Sequence, residues 1–169
     1  MQINTPGKAA IVAALLMTYP VNAQTLDEIL APRPDTNVCW QRTYSDTHLA
    51  KHPRQKVTAV HLYLDYYEME HDEVGKGSYS FSINFATHER KGSAGGLCYQ
   101  DDQGKVTCAG DCDSGAFTIR DSGTQGSVLL KMVSGGMTLT DCGDDTPFYM
   151  SAEPDDKLFL VHPVACSAD

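Results

Sequence analysis

Residues 78–86 read SYSFSINFA. Tyr79, Phe81, Ile83 and Phe85 alternate with Ser78, Ser80, Ser82 and Asn84, the two-residue period of a strand with one dry face and one wet face. Upstream, residues 57–69 read VTAVHLYLDYYEM. Val60, Leu62, Leu64 and Tyr66 fall on one side of that run, and Val57, Ala59, His61, Tyr63 and Asp65 on the other. Both sides are partly apolar, which suits a central strand.

Outward from this pair the same period recurs in short runs. Strands are expected at 38–44, 97–101, 105–109, 116–120, 127–133, 137–141 and 157–161, separated by Gly, Asp and Ser clusters that make turns. Helical period is confined to two places. Thr25 to Ala31 reads as one or two turns, with Thr25 and Glu28 spaced as a capping box and Pro32 ending the run. Ser45 to His52 reads as a short helix closed by Pro53. The fold class is therefore all-β, an antiparallel β-sandwich or barrel of about eight or nine strands with a short N-terminal helix.

Residues 1–23 carry Lys8, an apolar run from Ala9 to Met17 and a small-residue site, Val21-Asn22-Ala23, the layout of an export signal cleaved near Ala23. The apolar run is too short to span a bilayer. Residues 24–37 are then a short helix and the linker PRPDTN, and 38–169 one disulfide-stabilised β domain. The six cysteines (39, 98, 108, 112, 142 and 166) all follow the signal, so they read as a disulfide framework of the periplasm or the exterior.

One pairing follows from hairpin geometry. In CYQDDQGKVTC, residues 98–108, Asp102, Gln103 and Gly104 form a three-residue loop with Gly104 in the left-handed position. Asp101 then faces Lys105, and counting outward sets Cys98 against Cys108 at a non-hydrogen-bonded position, where α-carbons approach most closely. Cys112 with Cys142, and Cys39 with Cys166, complete the set. Cys108 with Cys112 is the competing arrangement. A redox role is disfavoured, because Cys108-x-x-x-Cys112 sits among acids and strands rather than at a helix start.

Charge narrows the partners. The chain holds 13 basic and 22 acidic residues, a formal net charge of −9. That disfavours nucleic acid and anionic lipid, which need positive charge to displace counterions. It suits a cationic protein or a divalent cation.

Four kinds of candidate site stand beside turn and core roles. Asp111 and Asp113 offer hard oxygen ligands, and Asp141, Asp144 and Asp145 would join them if Cys112 pairs with Cys142, which makes calcium the cofactor alternative. The calcium-loop signature fails, however, since Gly115 comes one position early and Ser122 stands where its glutamate belongs. His48 and His52 share a helix face but lack the neighbours of a zinc site. Ser114 lies in no Gly-x-Ser-x-Gly elbow; the nearest stretch is Lys91-Gly-Ser-Ala-Gly95. Acids in EMEHDEVGKG, 68–77, read as a charged loop.

Tyrosines and the outward His61, Tyr63 and Asp65 offer a binding surface instead. The reading these features favour is an exported acidic module that binds or inhibits a protein partner and does no chemistry. A calcium-binding protein and a hydrolase with an unrecognised site are the alternatives.

Overall fold

A computed structural model describes residues 25–68, 77–133, 135–140 and 146–166. The proposed signal segment lies outside them, as do most of the acidic run at 68–77, and Asp141, Cys142, Asp144 and Asp145. The described chain runs α1 (Leu26–Ile29), β1 (Thr36–Thr43), α2 (Asp46–Lys51), β2 (Val57–Tyr67), β3 (Ser78–Thr87), β4 (Lys91–Gln100), β5 (Val106–Gly110), β6 (Ala116–Asp121), β7 (Val128–Met132), β8 (Gly136–Thr138), β9 (Tyr149–Ser151) and β10 (Leu158–Val164).

Eight of these strands close a barrel in the order β1-β10-β7-β6-β5-β4-β3-β2, each antiparallel to both neighbours. Strands β1 to β7 follow one another around the wall, β8 and β9 pair with each other outside it, and β10 returns beside β1. Closure decides barrel over sandwich, and it leaves no barrel strand with an unpaired edge.

Alternation fills the inside. Leu62, Leu64, Ile83, Phe85, Phe117, Leu130 and Phe159 are fully buried. Phe81 meets Phe117 edge-on at 5.1 Å between ring centres, and Phe85 tilts against Phe159 at 5.4 Å. An eight-stranded barrel is just wide enough for side chains to fill or for one small ligand. Here aromatic rings take that space.

The two ends are plugged by different means. At one end α1 carries the expected capping box, with Glu28 N donating to Thr25 Oγ1 and Thr25 N to Glu28 Oε2. It buries Leu26, and Leu30 follows it into the core. Tyr79 reaches up to donate its hydroxyl to Asp27 (2.6 Å), with the Leu30 carbonyl 3.1 Å from the same oxygen. Burial, and then the carboxylate partner, hold that phenol well above its ordinary range. At the other end Met137, Leu139, Met150 and Ala152, from β8, β9 and their flanks, join the core as a lid.

The hairpin arithmetic is matched residue for residue. Cys98 opposes Cys108, Tyr99 opposes Thr107 and Gln100 opposes Val106, while Gly104 sits at φ 78°. The Cys98–Cys108 bridge faces the interior, and Cys39–Cys166 ties β1 to the end of β10 across 127 positions. Cys108 is thus not available to Cys112, which is disulfide-bonded itself. Its expected partner, Cys142, lies outside the described residues.

Four expectations need correction. Val57 is not on the outward side with His61: a bulge between Val57 and Ala59 shifts the phase, and Val57 is buried. The strand expected at 97–101 begins at Lys91, because KGSAGG has no apolar alternation to mark it. A Cβ on Gly96 would collide with the Ala109 carbonyl, and one on Gly92 would lie 2.7 Å from Leu139, so these glycines serve close backbone approach within the strand. Of the strand expected at 137–141, the described part does not join the barrel; Gly136–Thr138 pairs with Tyr149–Ser151, a strand the sequence did not mark. Strand β1 begins at Thr36, inside the stretch read as linker.

Candidate functional site on the outer wall

Because side chains alternate, filling the barrel fixes what faces outward. On β2 these residues are His61, Tyr63 and Asp65. Register then supplies their neighbours. His61 lies between Gln41 and Asn84, and Asn84 faces Ser93. Tyr63 lies between Cys39 and Ser82, and Ser82 faces Gly95. Asp65 lies between Asn37 and Ser80, and Ser80 faces Leu97. Three rows across four strands thus make a continuous wall.

The chemistry of this wall differs from that of the whole chain. Among the residues of these rows Asp65 is the single carboxylate, and it accepts a hydrogen bond from Ser80 Oγ. The rest are small or neutral polar, with Tyr63 in the middle row and Leu97 and Tyr99, 42% and 54% exposed, towards the α1 end. Above His61 the wall dips into a depression of about 170 Å³ over Ala59 and Ala86, rimmed by Gln41, His61, Asn84 and Lys91. Such a surface can accept a partner's side chain and hydrogen-bond around it.

The three predicted residues therefore lie side by side, but they are one column of a wider face. Gln41, Asn84, Ser93, Gly95 and Leu97 were not identified from the sequence. The outward phase of each strand was legible; the register that sets them beside His61 was not.

The aspartate corner stands differently. Asp111 and Asp113 flank Cys112 in a 3-10 turn in which Cys112 (φ 53°) and Asp113 (φ 57°) are left-handed. The Asp111 carbonyl accepts from Ser114 N at 3.0 Å and from Ser114 Oγ. That commits the Ser114 hydroxyl, which is buried, to a turn rather than to a nucleophile's task. Among the described residues no group of three or more metal-ligating side chains converges. His48 and His52 stack ring on ring at 4.4 Å, with Tyr44 at 4.7 Å from His48, and His48 Nε2 meets Gln55 Oε1 at 3.0 Å. That stack is packing at a helix surface.

One buried acid had no sequence signal. Asp156, in a stretch that reads only as a turn, is fully buried and accepts from Lys56 N (2.9 Å) and Val57 N (3.1 Å). Burial raises its pKa, against the pull of the two backbone donors. It borders a cavity of about 390 Å³ with Lys56, His88, Glu89 and Tyr149. Both its oxygens are held by backbone, so it anchors the start of β2.

Among the described residues no helix is long and apolar enough to cross a membrane. No family model matches the chain, and neither does any curated protein or solved structure.

Proposed function

We propose that this chain is a non-catalytic binding or inhibitory module that acts on a protein partner in the periplasm or outside the cell, and that the outer wall of β1 to β4 is its contact face. One observation carries the reading: in an acidic chain, the wall around Tyr63 is nearly free of charge and built from Tyr, Ser, Asn, Gly and Leu. Interface centres are depleted of charged residues and enriched in tyrosine, and Tyr with Ser, Gly and Asn is the composition of adaptable paratopes. The filled interior supports the same reading, since it directs binding to the surface. Acidic surroundings would speed encounter with a cationic partner more than they add affinity. Disulfides and the signal-like leader support the compartment.

The test is retention from envelope extract on immobilised oxidised protein. Ser82→Arg puts a long charge in the middle of the wall, and Thr124→Arg, in the β6–β7 loop, adds the same charge elsewhere. A protein retained by the wild type and Thr124→Arg but lost with Ser82→Arg is the expected result. Equal retention by all three would refute this face as the site.

A further inference from the structure

The barrel is closed by its shortest seam. Strands β1 and β10 share three rungs, Cys39 with Val164, Trp40 with Pro163 and Gln41 with His162, against eight between β1 and β2. The Cys39–Cys166 bridge pins one end of the seam.

A side-chain relay holds the other end. An Arg42 guanidinium nitrogen lies 2.8 Å from His162 Nε2, and His162 Nδ1 lies 3.0 Å from Ser127 Oγ. A guanidinium only donates, so Nε2 must accept. The proton of the neutral ring is therefore on Nδ1 and is donated to Ser127, which is buried. Arg42 Nε is itself buried with no partner among the described residues, so the guanidinium already lacks one acceptor.

We propose that His162 is an acid-sensitive latch on this seam. Protonation puts an N–H on Nε2, so two donors and two positive charges would meet at the Arg42 contact. That bond must break, and the Gln41–His162 rung loosens while the disulfide keeps the far end closed. The groups facing His162 are Arg42 and Gln41 from β1 and Ser127 from the segment entering β7; Tyr44 lies under the guanidinium at 5.3 Å, and Asp156 acts on Tyr44. Among the described residues no carboxylate is bonded to the imidazole to stabilise its cation.

The test is amide hydrogen exchange on the oxidised full chain at about pH 7 and pH 5, the window in which imidazoles change charge, corrected for intrinsic rates. Protection of the amides of Cys39, Gln41, His162 and Val164 should fall about tenfold at the lower pH, the scale of one hydrogen bond to a charged group, while the β2–β3 ladder keeps its protection. In His162→Gln, whose amide oxygen can still accept from Arg42, the seam should not respond to pH. Should that variant not fold, ring nitrogen shifts in the wild type decide: they should report the Nδ1–H tautomer at pH 7 and a titration midpoint matching the loss of protection. Seam protection that ignores pH, an equal fall in β2–β3 or in His162→Gln, or an Nε2–H tautomer would each overturn the latch.

Discussion

Replacing Asp156 with alanine removes the acceptor for two backbone donors at the start of β2, the Lys56 and Val57 N–H groups. Hydrogen bonds to a charged group contribute about 1.5–3 kcal/mol each, and the Val57 donor would be left buried. Against that loss stands the relief of no longer burying a carboxylate, whose raised pKa records the cost of its charge. The balance puts Asp156→Ala at about 2–4 kcal/mol, read by urea unfolding of the oxidised protein, and Asp156→Asn, which keeps one acceptor, at roughly half of that.

The pH dependence separates the opposing terms. A carboxyl whose folded pKa lies above its unfolded value binds its proton more tightly when folded. Its stabilising contribution is complete below the unfolded pKa and is lost as pH rises through the folded one. The gap between wild type and Asp156→Ala should therefore widen as pH falls from neutrality into the carboxylate range. A gap that narrows on acidification would mean that the two N–H donors outweigh burial, and the reasoning would fail.

Other outcomes follow from the same geometry. Converting Cys39 and Cys166 to alanine should cost about 5 kcal/mol and converting Cys98 and Cys108 about 3 kcal/mol by the loop-entropy relation, which unfolding of the two paired variants would compare directly. Gly96→Ala should lower stability by more than about 2 kcal/mol, because its Cβ strikes the Ala109 carbonyl, whereas Gly95→Ala, whose nearest contact is 3.4 Å, should stay within about 0.5 kcal/mol. Thermal unfolding in chelator and then in millimolar calcium should give one and the same Tm. A 10 μM site at about 1 mM free ion would instead add roughly 2.7 kcal/mol and return the Asp111 and Asp113 corner to the first rank of candidate sites.

Much of the fold was legible because strands announce themselves locally. SYSFSINFA and the 57–69 run gave their burial phase to within one bulge, and the 98–108 hairpin gave both its register and its disulfide, since a three-residue loop fixes pairing without distant information. Where a strand is built from KGSAGG the period vanishes, because its glycines are there to admit neighbouring backbone rather than to bury side chains. The site was half legible for a related reason. His61, Tyr63 and Asp65 could be assigned to one outward column, but Gln41, Asn84, Ser93 and Gly95 become their neighbours only through cross-strand register.

By itself the sequence determined the β class, the capping box at Thr25, the inward phase of the long strands and the Cys98–Cys108 pairing, all of which rest on spacings within a dozen or so residues. Tertiary structure alone decided that the sheet closes, that Phe81, Phe85, Phe117 and Phe159 fill it, that Asp156 is buried under two backbone donors, and that Arg42, His162 and Ser127 meet at the closing seam. These depend on contacts between residues scores of positions apart, and no local periodicity encodes which distant strand returns to close the ring.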